Sequence, residues 1–409
     1  MTAGATHPDA LVLDPYDYAF QDDPYPTYAR LRAEAPLYYN ADLDFWAVTR
    51  HADVAAAFRD DATFSNRMGV SLDAIAWSPH AYKTMSFLAL DGKDQQRLRS
   101  LVSKAFTPRR VRELTPQVQA LTEKYFGLAF ADGVEHDWIG EVAGLLPMDV
   151  ISEMMGVPEE DRVEVRRLAD LVVHREEGIR DVPPAAMEAS VTLMTYYAGM
   201  VEQRRRRPSE DLTSALLEAE NDGDRLSDEE VMAFLFLMVV AGNETTTKLL
   251  GNALFHLAQH PEQQAQVLAS PDDTSLVVPW IEETLRHDTS SQMLARHLLQ
   301  DYELDGVVAP AGSRAVLVIG SANRDEDVFT DPTRFDLHRP KEELAKILSF
   351  GGGRHFCLGA NLARLEARIV LEEFVRRVRD YEVDVDGARR VHSISVRGFA
   401  SLPITVRLR

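Results

Sequence analysis

The only cysteine in the 409-residue sequence, Cys357, follows three consecutive glycines and stands just before an apolar helical pattern. At a helix N-terminus, unpaired backbone N–H groups and the helix dipole favour a thiolate, so we expect the pKa of this thiol to be lowered. The glycines at 351–353 allow a tight turn and a close approach of the backbone to a flat, bulky group. The stretch therefore predicts a sulfur that acts as a metal ligand or a nucleophile.

Other uses of a lone cysteine are open at this point. A zinc site needs three or four ligands, and His355 is the one candidate nearby. A cysteine nucleophile needs a base and an oxyanion hole, which nothing in the sequence compels. A dinucleotide-binding loop needs a further glycine after Gly351 and Gly353 at a spacing that is not met. Without context, an inert buried cysteine is the usual interpretation.

The longest helix predicted by the sequence begins at a capping box, Ser227 with Glu230, and continues to His260. It has about 33 residues and therefore a length of roughly 50 Å. Its first half, 231–240, is apolar on every face, which is typical of a helix buried through the middle of a protein. Polar residues then interrupt the pattern at mid-length.

The remaining pattern predicts a mainly α fold with small β-sheets at its side. No linker or repeat divides the chain, which favours one domain over 1–409 with a loose tail at 1–10. Glu283 and Arg286 share a face of one helix, and another helix begins just after Cys357. Further helices are predicted at Pro26–Glu34, Asp94–Phe106, Arg109–Phe130, Leu145–Met155, Met187–Arg207 and Asp211–Asn221, and strands at Leu37–Asn40, Phe45–Thr49, Arg314–Ile319 and Ile404–Leu408.

The charge and composition exclude several classes of partner. A net charge of -21 repels polyanions, so the basic run 204–207 is interpreted as the solvated end of a helix before Pro208 and not as a nucleic-acid site. The longest apolar run, Val231–Ala241, is too short to span a bilayer. One cysteine and no secretion signal predict a cytoplasmic protein without nucleic-acid or membrane partners.

The stretch Phe350–Gly359 resembles the heme-thiolate loop of the soluble bacterial cytochrome P450 monooxygenases. Three more segments match that family in the same order: Ala241–Thr245, Glu283–Arg286, and Asn323–Asp325 with Phe335–Arg339. The resemblance covers nearly the whole chain and implies the cytochrome P450 fold, in which the long helix crosses over heme b. It makes Cys357 the axial ligand of the heme iron.

The resemblance also implies residues that handle oxygen and the heme. Glu244 and Thr245 would relay protons to bound O2, unless the Thr245 hydroxyl merely bonds the preceding helical turn. The heme propionates would meet Arg99, Arg296 and His355, with Gln95 in place of a more usual histidine as a neutral donor. The other heme contacts implied are Ala241, Gly242, Phe350, Gly351, Gly359 and Ala363.

A structural cluster and a pocket follow from the same resemblance. Glu283, Arg286 and Arg339 would form a buried ion cluster that locks their helix to the loop before Cys357, the alternative being a surface salt bridge. The substrate would be lipophilic, with Gln292 able to orient one polar group. The pocket residues implied are Phe87, Leu88, Leu237, Val240, Ala241, Gln292, Leu294 and Phe399.

The implied reaction inserts one atom of O2 into a lipophilic small molecule by hydroxylation or epoxidation. Electrons would come from a ferredoxin and a ferredoxin reductase, docked on basic residues behind Cys357, although ordinary solvated charge is a competing explanation of those residues. They are Lys104, Arg109, Arg110, Arg112, Arg354, Arg364 and Arg368. The alternatives are a peroxide-driven peroxygenase and a heme-based ligand sensor or carrier without turnover.

Overall fold

The computed structural model describes residues 11–221 and 223–409 and is mainly α-helical with small sheets, as predicted. The loose tail predicted at 1–10 lies outside the described residues. The α-helices are α1 Tyr18–Asp22, α2 Tyr25–Glu34, α3 His51–Ala57, α4 Tyr82–Met85, α5 Gly92–Val102, α6 Pro108–Glu113, α7 Thr115–Ala129, α8 Leu146–Met155, α9 Arg162–Val173, α10 Pro184–Arg206, α11 Leu212–Glu218, α12 Asp228–Ala258, α13 Pro261–Val267, α14 Val277–His287, α15 Ile319–Ala322, α16 Lys341–Leu344 and α17 Ala360–Arg377.

The strands are short and lie outside the helical body, as the sequence pattern indicates. They are β1 Leu37–Asn40, β2 Phe45–Val48, β3 Phe64–Ser65, β4 Glu135–Asp137, β5 Glu220–Asn221, β6 Asp224–Arg225, β7 Met293–Leu298, β8 Tyr302–Leu304, β9 Val307–Ala309, β10 Arg314–Val318, β11 Val378–Val383, β12 Arg389–Arg390, β13 Phe399–Ser401 and β14 Pro403–Leu408.

Two predicted helices differ from the observed ones. The helix predicted at Arg109–Phe130 is two helices, α6 and α7, with a break at Leu114. Pro116 lacks the N–H that a helix interior needs, and it fits the first turn of a new helix instead. The helix predicted at Asp211–Asn221 ends at Glu218, and the chain then enters strand β5.

Helix α12 has 31 residues and begins with the predicted capping box. Ser227 Oγ accepts a hydrogen bond from Glu230 N at 3.2 Å, and the Glu230 carboxylate accepts one from Ser227 N at 2.9 Å. The helical backbone continues through the polar residues that interrupt the apolar pattern at mid-length. Polar side chains change the surface of a helix but leave its i to i−4 hydrogen bonds in place.

Two tryptophans hold α12 in the core. Trp138 Nε1 donates to Leu250 O at 3.2 Å, and Trp280 Nε1 donates to Ala253 O at 2.9 Å. Both indoles are fully buried. Because each indole fills a large volume and satisfies its one N–H on the α12 backbone, the two side chains fix this helix in the core.

The five-stranded sheet has the order β1-β2-β10-β7-β3. In it β10 pairs in parallel with β2 and antiparallel with β7, where Ala315 lies opposite Arg296. Side chains two residues apart on a strand point to the same face. Leu294 and Arg296 on β7 therefore point together toward the cavity that α12 borders. Within the described residues, no helix combines the length and the apolar character needed to cross a bilayer.

Candidate active site

Cys357 lies in a tight loop immediately before α17. Its N–H donates to Phe350 O at 2.9 Å, which closes the loop. Backbone N–H groups of Gly359 and Ala360 are directed at the sulfur, yet the pKa of the thiol is raised, because burial outweighs these groups and the nearby Arg99. This corrects the expected lowering of the pKa. A metal bound to the sulfur would supply the positive charge that the protein alone does not.

The glycines before Cys357 are required by the backbone and by a neighbouring segment. Gly351 and Gly353 have φ values of 69° and 60°, which L side chains rarely adopt. A Cβ on Gly353 would lie 2.3 Å from Phe58 O, and one on Gly352 would lie 3.1 Å from Phe58 Cβ. The run of glycines therefore lets the loop lie against the end of α3, a contact that the sequence did not predict.

The middle of α12 forms the opposite wall of a cavity of about 480 Å³ that reaches Cys357. Ala241 and Gly242 line this wall, and Ala241 is exposed to it. A Cβ on Gly242 would lie 2.0 Å from Ile151 Cδ1, so the missing side chain also makes room for α8. Thr245 lines the same wall, and its hydroxyl donates to Ala241 O at 2.9 Å. The Thr245 oxygen keeps its capacity to accept a hydrogen bond.

Glu244 lies on the same wall and belongs to a cluster of charged residues. It is buried, and Lys248 Nζ lies 3.1 Å from its Oε2. Asp170 of α9 lies within hydrogen-bonding reach of Glu244 and accepts a hydrogen bond from Asn243 Nδ2 at 3.4 Å. Sequence reasoning did not identify Lys248 or Asp170. The four-residue spacing of Glu244 and Lys248 was a usable signal, whereas Asp170 is distant in sequence and had none.

Two arginines and a histidine converge beside the Cys357 loop. Arg296 is buried and burial lowers its pKa to about 10, although Asp91 and Asp61 act in the opposite direction. Burial and the charge of Arg296 lower the pKa of His355 to about 4. Burial also lowers the pKa of Arg99, whose Nη2 donates to Phe356 O at 2.6 Å.

Two polar atoms of this group lack an acceptor. Arg99 Nη1 and His355 Nδ1 are buried and have no hydrogen-bond partner among the described residues. Arg296 and His355 line the cavity, so acceptors placed there would be within their reach. Buried donors without partners are costly, and the two carboxylates of heme b would satisfy them. The residues present thus fit a porphyrin carrying two propionates.

Gln95 is the one predicted heme contact that the structure assigns to another partner. Its side chain is buried, and Nε2 donates to Arg354 O at 2.9 Å. This bond ties α5 to the Cys357 loop, and because the amide NH2 has a second N–H, the bond to a propionate stays a prediction. The remaining predicted contacts, Phe350, Gly351, Gly359 and Ala363, all line the cavity.

The structure separates the predicted pocket residues into two groups. Phe399 and Gln292 do not line the cavity, which corrects that part of the prediction. Phe399 packs against Phe255, with ring centroids 4.7 Å apart. Gln292 Nε2 donates to Thr289 O at 2.7 Å, and its Oε1 occupies the space left by Gly320. The other predicted residues do line the cavity: Phe87, Leu88, Leu237, Val240, Ala241 and Leu294.

Some cavity residues were not found from the sequence. Ser395 and Val396 replace Phe399 as the contribution of the late segment. The sequence around Ser395 and Val396 contains no motif that would have identified them as cavity residues. Glu366 of α17 also lines the cavity, and burial raises its pKa well above the ordinary value of a carboxyl group. Its place within an apolar helical pattern gave only a weak signal, a single acidic residue on a buried face.

The predicted ion cluster is buried. Glu283 lies 2.8 Å from Arg286 Nη2 and 2.9 Å from Arg339 Nε, and the side chains of Glu283 and Arg286 have no exposed surface. Asp336 N also donates to Glu283, at 2.9 Å. Arg286 Nη1 donates to Pro332 O at 2.8 Å. The cluster therefore joins α14 to the segment that leads to Cys357, which excludes a surface salt bridge at this position.

Comparisons with known proteins agree with this site. The family model described as Cytochrome P450 matches residues 184–406. Cytochrome P450 123 of Mycobacterium tuberculosis is 56% identical over all of both chains. The structure of CYP109Q5 from Chondromyces apiculatus superposes with a TM-score of 0.86 and 35% identity, over 97% of this chain and 98% of the other. That of CYP109E1 from Bacillus megaterium in complex with corticosterone has a TM-score of 0.82 and 30% identity, over 95% and 99%.

A cysteine loop and a long helix facing each other across a cavity, with unpaired cations at its edge, define a heme-thiolate oxygenase. The chain belongs to the cytochrome P450 family. It is a cytochrome P450 monooxygenase with heme b as its cofactor, and it uses O2, a small-molecule substrate and an external redox partner.

Proposed function

We propose that the whole chain is one cytochrome P450 domain that hydroxylates or epoxidises a lipophilic small molecule, with electrons supplied by a ferredoxin and its reductase. The observation that carries the proposal is the cavity that Cys357 shares with Ala241, Glu244 and Thr245. When bound, heme b supplies the iron that activates O2. Cys357 would be its thiolate ligand, and Arg99, Arg296 and His355 would hold the two propionates.

Proton delivery falls to α12 in this proposal. Glu244 lies one residue before Thr245, and both line the cavity. The Thr245 hydroxyl donates a hydrogen bond to Ala241 O. In this role it accepts a hydrogen bond from the part of the cavity where O2 would bind, or passes a proton toward it. Glu244 restores that proton.

A lipophilic substrate is supported by the lining of the cavity. The residues on the side away from Cys357 are mostly apolar, among them Phe87, Leu88, Leu237, Val240 and Leu294. A few hydroxyls, such as Ser290, Ser395 and Thr289, can orient one polar group. CYP109E1, which is similar in fold and sequence, holds corticosterone. A molecule of about the size of corticosterone is a suitable first probe of the cavity.

A ferredoxin is supported by the basic residues outside the Cys357 loop. Arg110, Arg112 and Arg368 are exposed on α6 and α17, which pack together. Other basic residues of this surface already have acidic partners, including Arg109 with Glu113 and Arg364 with Glu282. An acidic partner would therefore contact mainly Arg110, Arg112 and Arg368.

The test of the proposal is the Soret band of the reduced protein with bound CO. The wild-type protein should give the red-shifted band of a thiolate complex. Cys357→Ser should abolish that band, because an alcohol does not supply the same anionic ligand. Arg368→Gln, on the outer surface of α17, should leave the band unchanged. Retention of the red-shifted band in Cys357→Ser would exclude Cys357 as the ligand.

A further inference from the structure

Helices α9 and α12 meet at two carboxyl groups. Asp170, near the end of α9, lies within hydrogen-bonding reach of Glu244 on α12. Asn243 Nδ2 donates to Asp170 Oδ1 at 3.4 Å, which holds the Asp170 side chain toward α12. Two carboxyl groups can share a hydrogen bond only when one of them carries a proton. A hydrogen bond between Asp170 and Glu244 therefore requires one proton on the pair.

The two members of the pair face different surroundings. Glu244 has 3% of its surface exposed and lines the cavity. Asp170 keeps an exposed surface, although neighbouring atoms largely enclose its carboxyl group, and it is not part of the cavity lining. The pair thus spans the wall between external solvent and the side of α12 that carries Thr245.

The charged groups that face Asp170 are Glu244 and Lys248 from α12 and Arg166 from its own helix. Burial, followed by the charge of Glu244, raises the pKa of Asp170 to about 8, against the opposing effect of the two cations. Lys248 is buried, and its Nζ lies 3.1 Å from Glu244 Oε2.

Lys248 is itself held by a neighbouring backbone. A Cβ on Gly398 would lie 2.4 Å from Lys248 Cβ and 2.8 Å from Cγ. Glycine at position 398 therefore leaves room for the stem of Lys248, and the late segment of the chain keeps this cation beside Glu244.

We infer that Asp170 is a positioning residue for proton delivery: it holds Glu244 in place and passes to it protons taken from solvent. This inference rests on the proposed function. A monooxygenase turnover takes up two electrons from the redox partner and two protons, and releases one oxygen atom as water. For each proton, Asp170 gives its proton to Glu244, Glu244 passes a proton on toward the Thr245 hydroxyl, and water reprotonates Asp170. Both carboxyl groups end the cycle unchanged.

The first test does not depend on turnover. An infrared titration of the resting protein should contain the C=O band of a protonated carboxyl group that disappears as the pH rises through about 8. Asp170→Asn should lack this pH-dependent component, and Glu164→Gln, on the exposed face of the same helix, should keep it. Absence of any such component in the wild-type protein would overturn the inference without the need for a variant.

The second test is the pH profile of product formed per electron consumed. Positioned proton transfer contributes about 10²–10⁴-fold to a rate and water can replace part of it, so Asp170→Asn should lower this ratio about tenfold near pH 7. The wild-type ratio should fall toward that of the variant above pH 8, because Asp170 then loses its proton. Asp170→Glu should restore part of the ratio, and Glu164→Gln should match the wild type.

The outcomes separate the inference from the proposed function. A wild-type protein without the red-shifted CO band would contradict the proposed function. A wild-type protein with that band, together with an Asp170→Asn variant of unchanged ratio and pH profile, would overturn only the role of Asp170. An Asp170→Asn variant that keeps the CO band, forms less product per electron and lacks the infrared component would support both the inference and the proposed function.

Discussion

At Gly353 the absence of a single carbon atom decides whether the Cys357 loop can form. The backbone has φ of 60°, and Phe58 O occupies the space a side chain would need. At Gly351 only the positive φ requires a glycine, since an added Cβ would lie 3.6 Å from its nearest neighbour, Phe58 Cε1. The loop therefore depends on two separate properties of glycine, its conformational range and its size.

Gly353→Ala should prevent correct placement of Cys357. The left-handed backbone costs roughly 1–2 kcal/mol for a residue with Cβ, and the clash with Phe58 O should add about 1–3 kcal/mol. Urea unfolding measures the sum, and the heme retained after gel filtration reports the loop. Gly133→Ala is the matched control, because Gly133 has φ of 69° with no atom within 4 Å of the added Cβ. Equal losses in the two variants would contradict the role of Phe58.

At the scale of elements, α14 carries two adjacent acidic residues with different surroundings. Glu283 has no exposed side-chain surface and bonds two arginines, whereas Glu282 bonds Arg364 with 19% and 34% of their side chains exposed. The helix thus ties the segment leading to Cys357 on one face and α17 on another. Only the contacts of Glu283 are buried away from water.

Glu283→Gln should destabilise the protein far more than Glu282→Gln. Removing the charge of Glu283 leaves Arg286 buried without an anion and Arg339 with Glu343 as its one anionic partner, which costs about 3–5 kcal/mol. Removing that of Glu282 breaks a partly exposed pair worth about 0–1 kcal/mol. Chemical denaturation of both variants measures the difference. Similar losses in the two would mean that the Glu283 cluster contributes no more than a surface pair.

At the scale of the whole molecule, charge is unevenly distributed. The chain has a net charge of -21, yet α6 and α17 expose Arg110, Arg112 and Arg368 near one another. A local basic surface on an acidic protein orients an acidic partner and repels it elsewhere. Electron transfer would then occur on the side of Cys357 away from the substrate cavity.

Arg112→Glu should slow reduction by an acidic ferredoxin. Charge reversal on a steered association surface should lower the second-order rate constant about tenfold at low salt, and the difference should shrink as salt screens it. Stopped-flow reduction measures the constant. Arg207→Glu, exposed beyond the end of α10, should have little effect. Equal rates for wild type and Arg112→Glu would remove this surface from partner binding.

Much of this protein could be predicted from sequence because the information is local. The capping box at Ser227, the apolar half of α12 and the glycines before Cys357 each reflect the chemistry of a few neighbouring residues. The four spaced motifs then indicated the family, the heme and the ion cluster around Glu283.

The tertiary structure alone decided where side chains meet across the fold. Gln95 donates to Arg354 O, Phe399 packs on Phe255, and Asp170 reaches Glu244 from another helix. Burial likewise reversed the expected direction of the Cys357 pKa, because the cost of removing charge from water depends on all surrounding atoms. Local sequence encodes helices, turns and ligand types, whereas desolvation and contacts between distant segments exist only once the chain is packed.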